Sequence, residues 1–212
     1  VKYIISMAVA MGVAFTLTWL FGTNNEHIRN ENKPSENKTE KAEQPAQAME
    51  TKAENADVAD DGIITAPLSG KAVKLENVPD QTFAQGILGL GAAIEPTEGK
   101  VVAPDDGKVE TLFDTFHAIG LTLDNGKELL IHVGINTVEL KGEGFKAYVS
   151  EGDRVTKGQT LITFDMDFIK SKGYQTITPV LVGNSDEFAS VEELAEEGTQ
   201  VTIGDKLIKV NA

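Results

Sequence analysis

From Gly62 onward the chain runs in short apolar stretches separated by glycine, proline and acidic turns. That is the pattern of short strands, not of long amphipathic helices. Residues 63–66, 70–75, 100–102, 109–113 and 206–210 read as strands, with Pro67, Pro79, Pro96 and Pro104 punctuating the first part. Short helical turns are expected at 83–88 and at 165–172, the second stopped by Gly173. Ser190-Val191-Glu192-Glu193 has the Ser-x-x-Glu spacing of a capping box and predicts a third short helix, ended by Gly198. Two stretches echo others. Thr65-Ala66-Pro67-Leu68-Ser69-Gly70-Lys71-Ala72-Val73 resembles Val102-Ala103-Pro104-Asp105-Asp106-Gly107-Lys108-Val109, and Ser150-Glu151-Gly152-Asp153-Arg154-Val155-Thr156-Lys157-Gly158 resembles Glu196-Glu197-Gly198-Thr199-Gln200-Val201-Thr202-Ile203-Gly204. The pattern predicts an all-β fold, an antiparallel β-sandwich or flattened barrel with internal duplication and a few short helices.

The first 61 residues follow different patterns. Between Tyr3 and Phe21 no residue is charged, a run long enough to cross a hydrocarbon core of about 30 Å. Trp19 suits the membrane interface. A secretory signal is the rival reading. Against it, no small-x-small cleavage site follows Leu20-Phe21-Gly22, and the chain opens on Val1. The expectation is a transmembrane helix over 1–22, the end of the membrane part of a longer protein. A flexible acidic linker over 23–61 follows, then a folded domain over 62–212. The linker is rich in Glu, Lys, Asn, Ala and Gln, and holds Pro34, Pro45 and a solvated His27. Arg29, Lys33, Lys38 and Lys41 after the apolar run, against Lys2 before it, place the domain on the cytoplasmic side of the cell membrane.

Charge and composition narrow the partners. The 212 residues carry 33 acids against 19 bases, a formal charge of −14, which argues against nucleic acid and suits a basic or apolar protein surface. With no cysteine there is no disulfide framework and no thiolate site. No Gly-x-x-x-x-Gly-Lys-Ser/Thr loop occurs, so direct use of ATP is not expected.

The chemistry concentrates around His117 and His132. Between them Asp124-Asn125-Gly126-Lys127 separates two apolar runs, and Asn-Gly is a strong hairpin signal. A two-residue turn at Asn125 and Gly126 pairs Asp124 with Lys127 and sets Ile119 opposite His132. His117 then shares a face with His132 as its diagonal neighbour, about 7–8 Å away along the backbone. A shift of one residue in register would put them on opposite faces. Paired imidazoles near neutral pH can attack, exchange protons or bind metal.

Phe113-Asp114-Thr115-Phe116-His117-Ala118 and Glu128-Leu129-Leu130-Ile131-His132-Val133-Gly134-Ile135-Asn136-Thr137-Val138-Glu139-Leu140-Lys141-Gly142-Glu143-Gly144-Phe145 resemble the two active-site segments of glucose-type enzyme IIA domains of the bacterial sugar phosphotransferase system. Val78-Pro79-Asp80-Gln81-Thr82-Phe83-Ala84, the two Ala-Pro turns and Thr178-Pro179-Val180 fit the same family. The resemblance spans about residues 62–210. It implies a phosphoryl relay: His132 accepts the group from the phosphocarrier HPr and passes it to a IIB domain. His117 would support the phosphoryl oxygens, and Thr115 would orient His117. It implies no dissociable cofactor, the phosphoryl group being carried covalently on His132. Docking would involve Asp80, Phe83, Val133, Ile135 and Asn136, with Phe116 and Ile119 as further apolar candidates. Asn136 stands where the family usually has Asp, which removes one charge facing a basic HPr residue. Residues 14–22 resemble the end of the IIC part of β-glucoside, sucrose or trehalose permeases with domain order IIB-IIC-IIA.

Two other functions compete. Duplicated β-sandwiches also host zinc hydrolases, but these need about three protein ligands. The domain holds two histidines and lacks His-x-His and His-x-x-x-Asp, which leaves adventitious zinc at His117 and His132. A lipoyl-like carrier or other binding module would need a modifiable lysine at a hairpin tip. Lys127 is at one, without the Asp/Glu-Met-Lys setting.

Overall fold

The computed structural model describes residues 61–212, so the helix expected at 1–22 and all of the expected linker but Asp61 fall outside the described residues. In chain order the strands are β1 (Ile63–Thr65), β2 (Gly70–Lys74), β3 (Leu90–Pro96), β4 (Lys100–Val102), β5 (Gly107–Leu112), β6 (Ala118–Leu123) and β7 (Glu128–His132). They continue as β8 (Phe145–Ala147), β9 (Arg154–Val155), β10 (Thr160–Phe164), β11 (Thr178–Val182), β12 (Ser190–Glu193), β13 (Gln200–Val201) and β14 (Lys206–Asn211). Helices α1 (Gln81–Ala84) and α2 (Met166–Ser171) are single short pieces, and among the described residues no helix is long and apolar enough to cross a membrane.

Every paired strand is antiparallel. Eight form one sheet in the order β13-β2-β3-β11-β7-β6-β5-β9, and two three-stranded sheets, β1-β14-β12 and β4-β10-β8, complete the fold. The internal duplication expected from the sequence echoes is visible in the hydrogen bonds. The Ala66 N–H donates to the Asp205 carbonyl and the Gly204 N–H to the Ala66 carbonyl; in the same way Ala103 pairs with Gln159 and Gly158. One turn further, Ala72 exchanges bonds with Thr199 and Gly198, as Val109 does with Asp153 and Gly152. The two echoed segments therefore dock on their partners through one repeated backbone scheme.

Alternation along the large sheet sorts its side chains onto two faces. Ile119, Leu121 and Leu123 of β6, Leu129 and Ile131 of β7, and Val180 and Val182 of β11 enter the main core with Ile64, Val101, Leu161 and Leu207 from the smaller sheets. The intervening residues face the other way. There Ala93 and Leu181 pack with Leu75, Val78, Phe83, Ile135 and Ile177 into a smaller apolar cluster, with Leu130 against its edge. His132 follows Leu130 by two residues on β7, so the strand delivers it to this second face.

Two local expectations change: the helical turn expected at 83–88 forms earlier, as α1 over Gln81–Ala84, and the third expected helix is a strand. The segment Ser190–Glu193 is strand β12, paired along β14 from Ser190 opposite Asn211 to Glu193 opposite Ile208. The Ser-x-x-Glu spacing does not become a cap because those groups are used otherwise: Ser190 donates to Glu192, and Glu193 accepts from the Leu75 N–H. The short helix α2 does form where expected, with Asp165 accepting from the Phe168 N–H at 2.9 Å and Gly173 following it at positive φ.

Candidate functional site

The hairpin that carries the histidines closes through a three-residue loop, Asp124 to Gly126. The Leu123 N–H donates to the Lys127 carbonyl, and the Gly126 N–H donates to the Leu123 carbonyl, each at 2.9 Å. Only Gly126 of the loop takes positive φ (+83°), as in a three-residue turn with its glycine in the left-handed position, not the expected two-residue turn. The extra loop residue moves the register by one, so Ala118 and not Ile119 lies opposite His132.

Strict alternation in this register would separate the two imidazoles. They meet nonetheless, with ring centroids 4.8 Å apart and planes at 84°. The reason lies just outside the strand. β6 begins at Ala118, and Phe116 before it adopts the left-handed conformation (φ 54°), which re-aims the chain at His117. The Val133 N–H still donates to the His117 carbonyl at 2.6 Å, so the backbone remains joined where the side-chain alternation is broken.

His132 retains part of its surface while His117 is only 4 % exposed. His132 donates its Nδ1–H to the Gly134 carbonyl at 2.8 Å; a carbonyl only accepts, so this contact leaves the Nε2 lone pair free. Gly134 itself sits at φ +76°. Thr115 Oγ1 lies 2.5 Å from His117 Nδ1. When the threonine hydroxyl donates to Nδ1, His117 presents its Nε2–H as a donor to an incoming oxygen. Phe83 brings its ring to 5.0 Å from that of His132, and Phe113 to 5.4 Å from that of His117.

Burial pushes the His117 pKa down to about 4, helped by the neighbouring His132. Burial also lowers His132, against the opposing pull of the Gly134 carbonyl and of the Asp80 carboxylate. Both rings are neutral near pH 7. An unfolded histidine takes up protons near pH 6.5, above the folded His117 value, so the unfolded chain binds more protons between those limits. Stability is therefore full above about pH 6.5 and falls as pH drops toward 4, on the order of 2–3 kcal/mol from this one ring. Urea midpoints measured from pH 7 to 4.5 should show the fall, and His117→Gln should flatten it.

The docking residues expected from the resemblance divide. Asn136 is exposed, in the left-handed conformation (φ 59°) that asparagine tolerates, and precedes the turn Thr137–Leu140 without a side-chain cap hydrogen bond to it. Asp80 is half-buried and caps α1, accepting from the Thr82 N–H at 2.8 Å. Phe83 and Ile135 belong to the apolar cluster under the site. Val133 does not fit a docking role: one residue beyond His132, it points to the opposite face and is 0 % exposed in the main core. Ile119 is excluded in the same way, and Phe116 is half-buried with its role in the backbone turn. Exposed apolar side chains occur instead at Ile87 and Leu88 after α1 and at Val138 after Asn136. Their strand-free, turn-rich surroundings gave no periodic signal by which the sequence could single them out.

Among the described residues, no group of three or more His, Cys, Asp or Glu is arranged to hold a metal ion. Lys127, the lysine a carrier module would modify, is buried at 2 % exposure although it sits at a hairpin tip.

Residues 62–188 match the family described as phosphoenolpyruvate-dependent sugar phosphotransferase system, EIIA 1. The chain belongs to that family. The "PTS system glucose-specific EIIA component" of Halalkalibacterium halodurans is 49 % identical over 138 residues, covering 65 % of this chain and 80 % of the relative. The protein of the same description from Staphylococcus aureus is 48 % identical over 135 residues, covering 64 % and 81 %. Among solved structures, the glucose permease IIA from Mycoplasma capricolum superposes with a TM-score of 0.61 at 31 % identity, covering 69 % of this chain and 93 % of that one. The EIIA relationship thus spans the two-sheet-face architecture and both histidine segments together.

Proposed function

We propose that His132 is the phosphoryl-carrying residue of this EIIA domain, with His117 and Thr115 supporting it. As an EIIA component the chain is a phosphotransferase that relays phosphoryl groups in sugar uptake. The observation that carries the residue assignment is the hydrogen bond from His132 Nδ1 to the Gly134 carbonyl, beside a second imidazole 4.8 Å away. It commits one nitrogen to the backbone and leaves the other as a nucleophile on a partly open ring.

The step needs no cofactor. The Nε2 lone pair of His132 attacks phosphorus in line, a P–N bond forms, and the bonding pair of the donor's P–N bond returns to the donor nitrogen. His117, neutral and nearly sealed, offers a donor hydrogen to the phosphoryl oxygens from a fixed position, so little reorganisation accompanies the transfer. The neutral pair also accepts a dianionic group without first shedding bound protons. The same group then leaves His132 when an acceptor attacks.

We take the donor to be HPr and the acceptor a IIB domain, docking in turn over the face marked by Asp80, Asn136, Phe83 and Ile135 and extended by Ile87, Leu88 and Val138. Support comes from the family, from the Phe83 ring beside His132, and from the exposed apolar side chains on the segments that follow α1 and Asn136. We read residues 1–22 as the membrane end of a IIC-like permease and the EIIA domain as cytoplasmic, on the strength of the uncharged run and the cations after it. Asn136→Asp should restore a charge toward a basic partner. HPr binding should tighten severalfold, about 1 kcal/mol at most for an exposed pair, and the gain should vanish in high salt; titration calorimetry at two ionic strengths would measure it.

The test of the assignment is incubation of the chain with phosphoenolpyruvate, enzyme I and HPr. Acid-labile phosphate on His132 is the expected product. Label elsewhere, or none, removes the proposal.

A further inference from the structure

The Gly134 carbonyl can choose the tautomer of His132 only if the turn holding it is itself fixed. Thr137 stands at the centre of that turn. It is fully buried, at 0 % exposure, although it is a polar residue in a surface turn. Its hydroxyl donates to the Val133 carbonyl at 2.5 Å, tying the end of β7 to the turn that follows. Its methyl occupies the space beside Gly134, where a Cβ on that glycine would come within 2.5 Å of Thr137 Cγ2. Beside it the Ile135 N–H donates to the Gln175 carbonyl at 3.0 Å, and that same carbonyl would lie 2.7 Å from a Gly134 Cβ. Thr137 and the segment at Gln175 therefore both pack against the face of Gly134 where a side chain would stand, with its carbonyl accepting from His132.

We propose that Thr137 is a positioning residue that selects which nitrogen of His132 takes the phosphoryl group. A neutral imidazole in water prefers its proton on Nε2, which would leave Nδ1 as the nucleophile. Here the Gly134 carbonyl reverses that choice, and Thr137 keeps the carbonyl where it can do so. The hydroxyl carries this role by anchoring the Val133 carbonyl, while the methyl only fills space beside a glycine at positive φ. The inference rests on His132 being the carrier. In the transfer, the P–N bond forms at Nε2, the donor nitrogen keeps its electron pair, and the Nδ1 proton stays on its carbonyl throughout.

The experiment uses the full chain with nitrogen-15 in its histidines. Ring-nitrogen shifts report the tautomer of His132 before any phosphoryl donor is added, and phosphorus–nitrogen coupling after phosphorylation reports the attachment site. In the unsubstituted chain, Nδ1–H and phosphorylation on Nε2 are expected. Thr137→Val keeps the shape and removes the hydroxyl; the Nε2–H tautomer should appear, and transfer from HPr should slow between about 10- and 100-fold. Thr137→Ser keeps the hydroxyl and should restore the Nδ1–H tautomer, which a merely structural loss would not do. His117 shifts unchanged in both variants would confirm that the fold is intact; should Thr137→Val not fold, Thr137→Ala in the same spectra takes its place. An unaltered tautomer and attachment site in a folded variant lacking the hydroxyl overturns the proposal. Absence of phosphate on His132 in the unsubstituted chain would instead overturn the carrier assignment on which it rests.

Discussion

His132→Ala should accept no phosphoryl group: acid-labile label from phosphoenolpyruvate should fall at least about 1,000-fold, since the nucleophile is gone and no second group in reach has its geometry. His117 cannot take over. It is 4 % exposed against a part-open His132, and its Nδ1 is engaged by Thr115 at 2.5 Å. His117→Gln should behave differently. It keeps the nucleophile, so label still reaches His132, but the rate should drop roughly 100- to 1,000-fold through loss of one preorganised donor to the phosphoryl oxygens. The contrast between abolition and slowing is the useful result. His132→Ala loses its ring contact with Phe83, worth about 1 kcal/mol, so its melting temperature should fall by only a few degrees. Label on the His132→Ala chain at the normal rate would sink the assignment of the carrier.

Gly134→Ala should damage both the fold and the site. The added Cβ meets Thr137 Cγ2 at 2.5 Å and the Gln175 carbonyl oxygen at 2.7 Å, neither of which can withdraw, since one is packed in the interior and the other is backbone. The left-handed backbone adds about 1–2 kcal/mol and the overpacking about 1–3 kcal/mol. A loss of 2–5 kcal/mol corresponds to about 5–15 °C in melting temperature for a domain of this size. Because the Gly134 carbonyl receives the His132 Nδ1–H, whatever folded protein remains should transfer slowly at temperatures well below its melting point. Gly126→Ala offers a control: it too has positive φ, but its Cβ would meet nothing within 4 Å. It should cost about 1–2 kcal/mol from the backbone and leave the transfer rate alone. Calorimetry with a label assay at low temperature separates strain from misplacement; equal stability for Gly134→Ala and the original chain would refute the account of this turn.

The histidine segments were legible because they are local. Fourteen residues separate His117 from His132, with a turn signal in between, and a hairpin is the simplest way to bring them together. The turn type was not legible. Asn-Gly serves both two- and three-residue loops, and the choice depends on how the surrounding strands pair, which no window of four residues contains. The local pattern therefore specifies the right neighbours but not their register. The kink at Phe116 then produced the meeting that the altered register alone would have prevented, since a phenylalanine at positive φ announces itself by no composition signal. Ser190-x-x-Glu193 failed for a similar reason: a capping pattern is a local preference, and pairing with β14 outweighs it.

By itself the sequence determined the all-β class, the duplicated docking turns, and the two histidines and the threonine that the fold brings together, because turn chemistry, period-two alternation and the two histidine motifs are written within short stretches. Tertiary structure alone decided which face each side chain takes, and so withdrew Val133 and Ile119 from the surface into the core. It also set the acceptor that His132 Nδ1 meets, since the Gly134 carbonyl lies 2.8 Å from that nitrogen in a turn packed against Thr137 and against Gln175, forty-one residues away. A proton's position on an imidazole depends on which acceptor stands within about 3 Å of it, and that distance exists only once separate strands have been brought into one sheet.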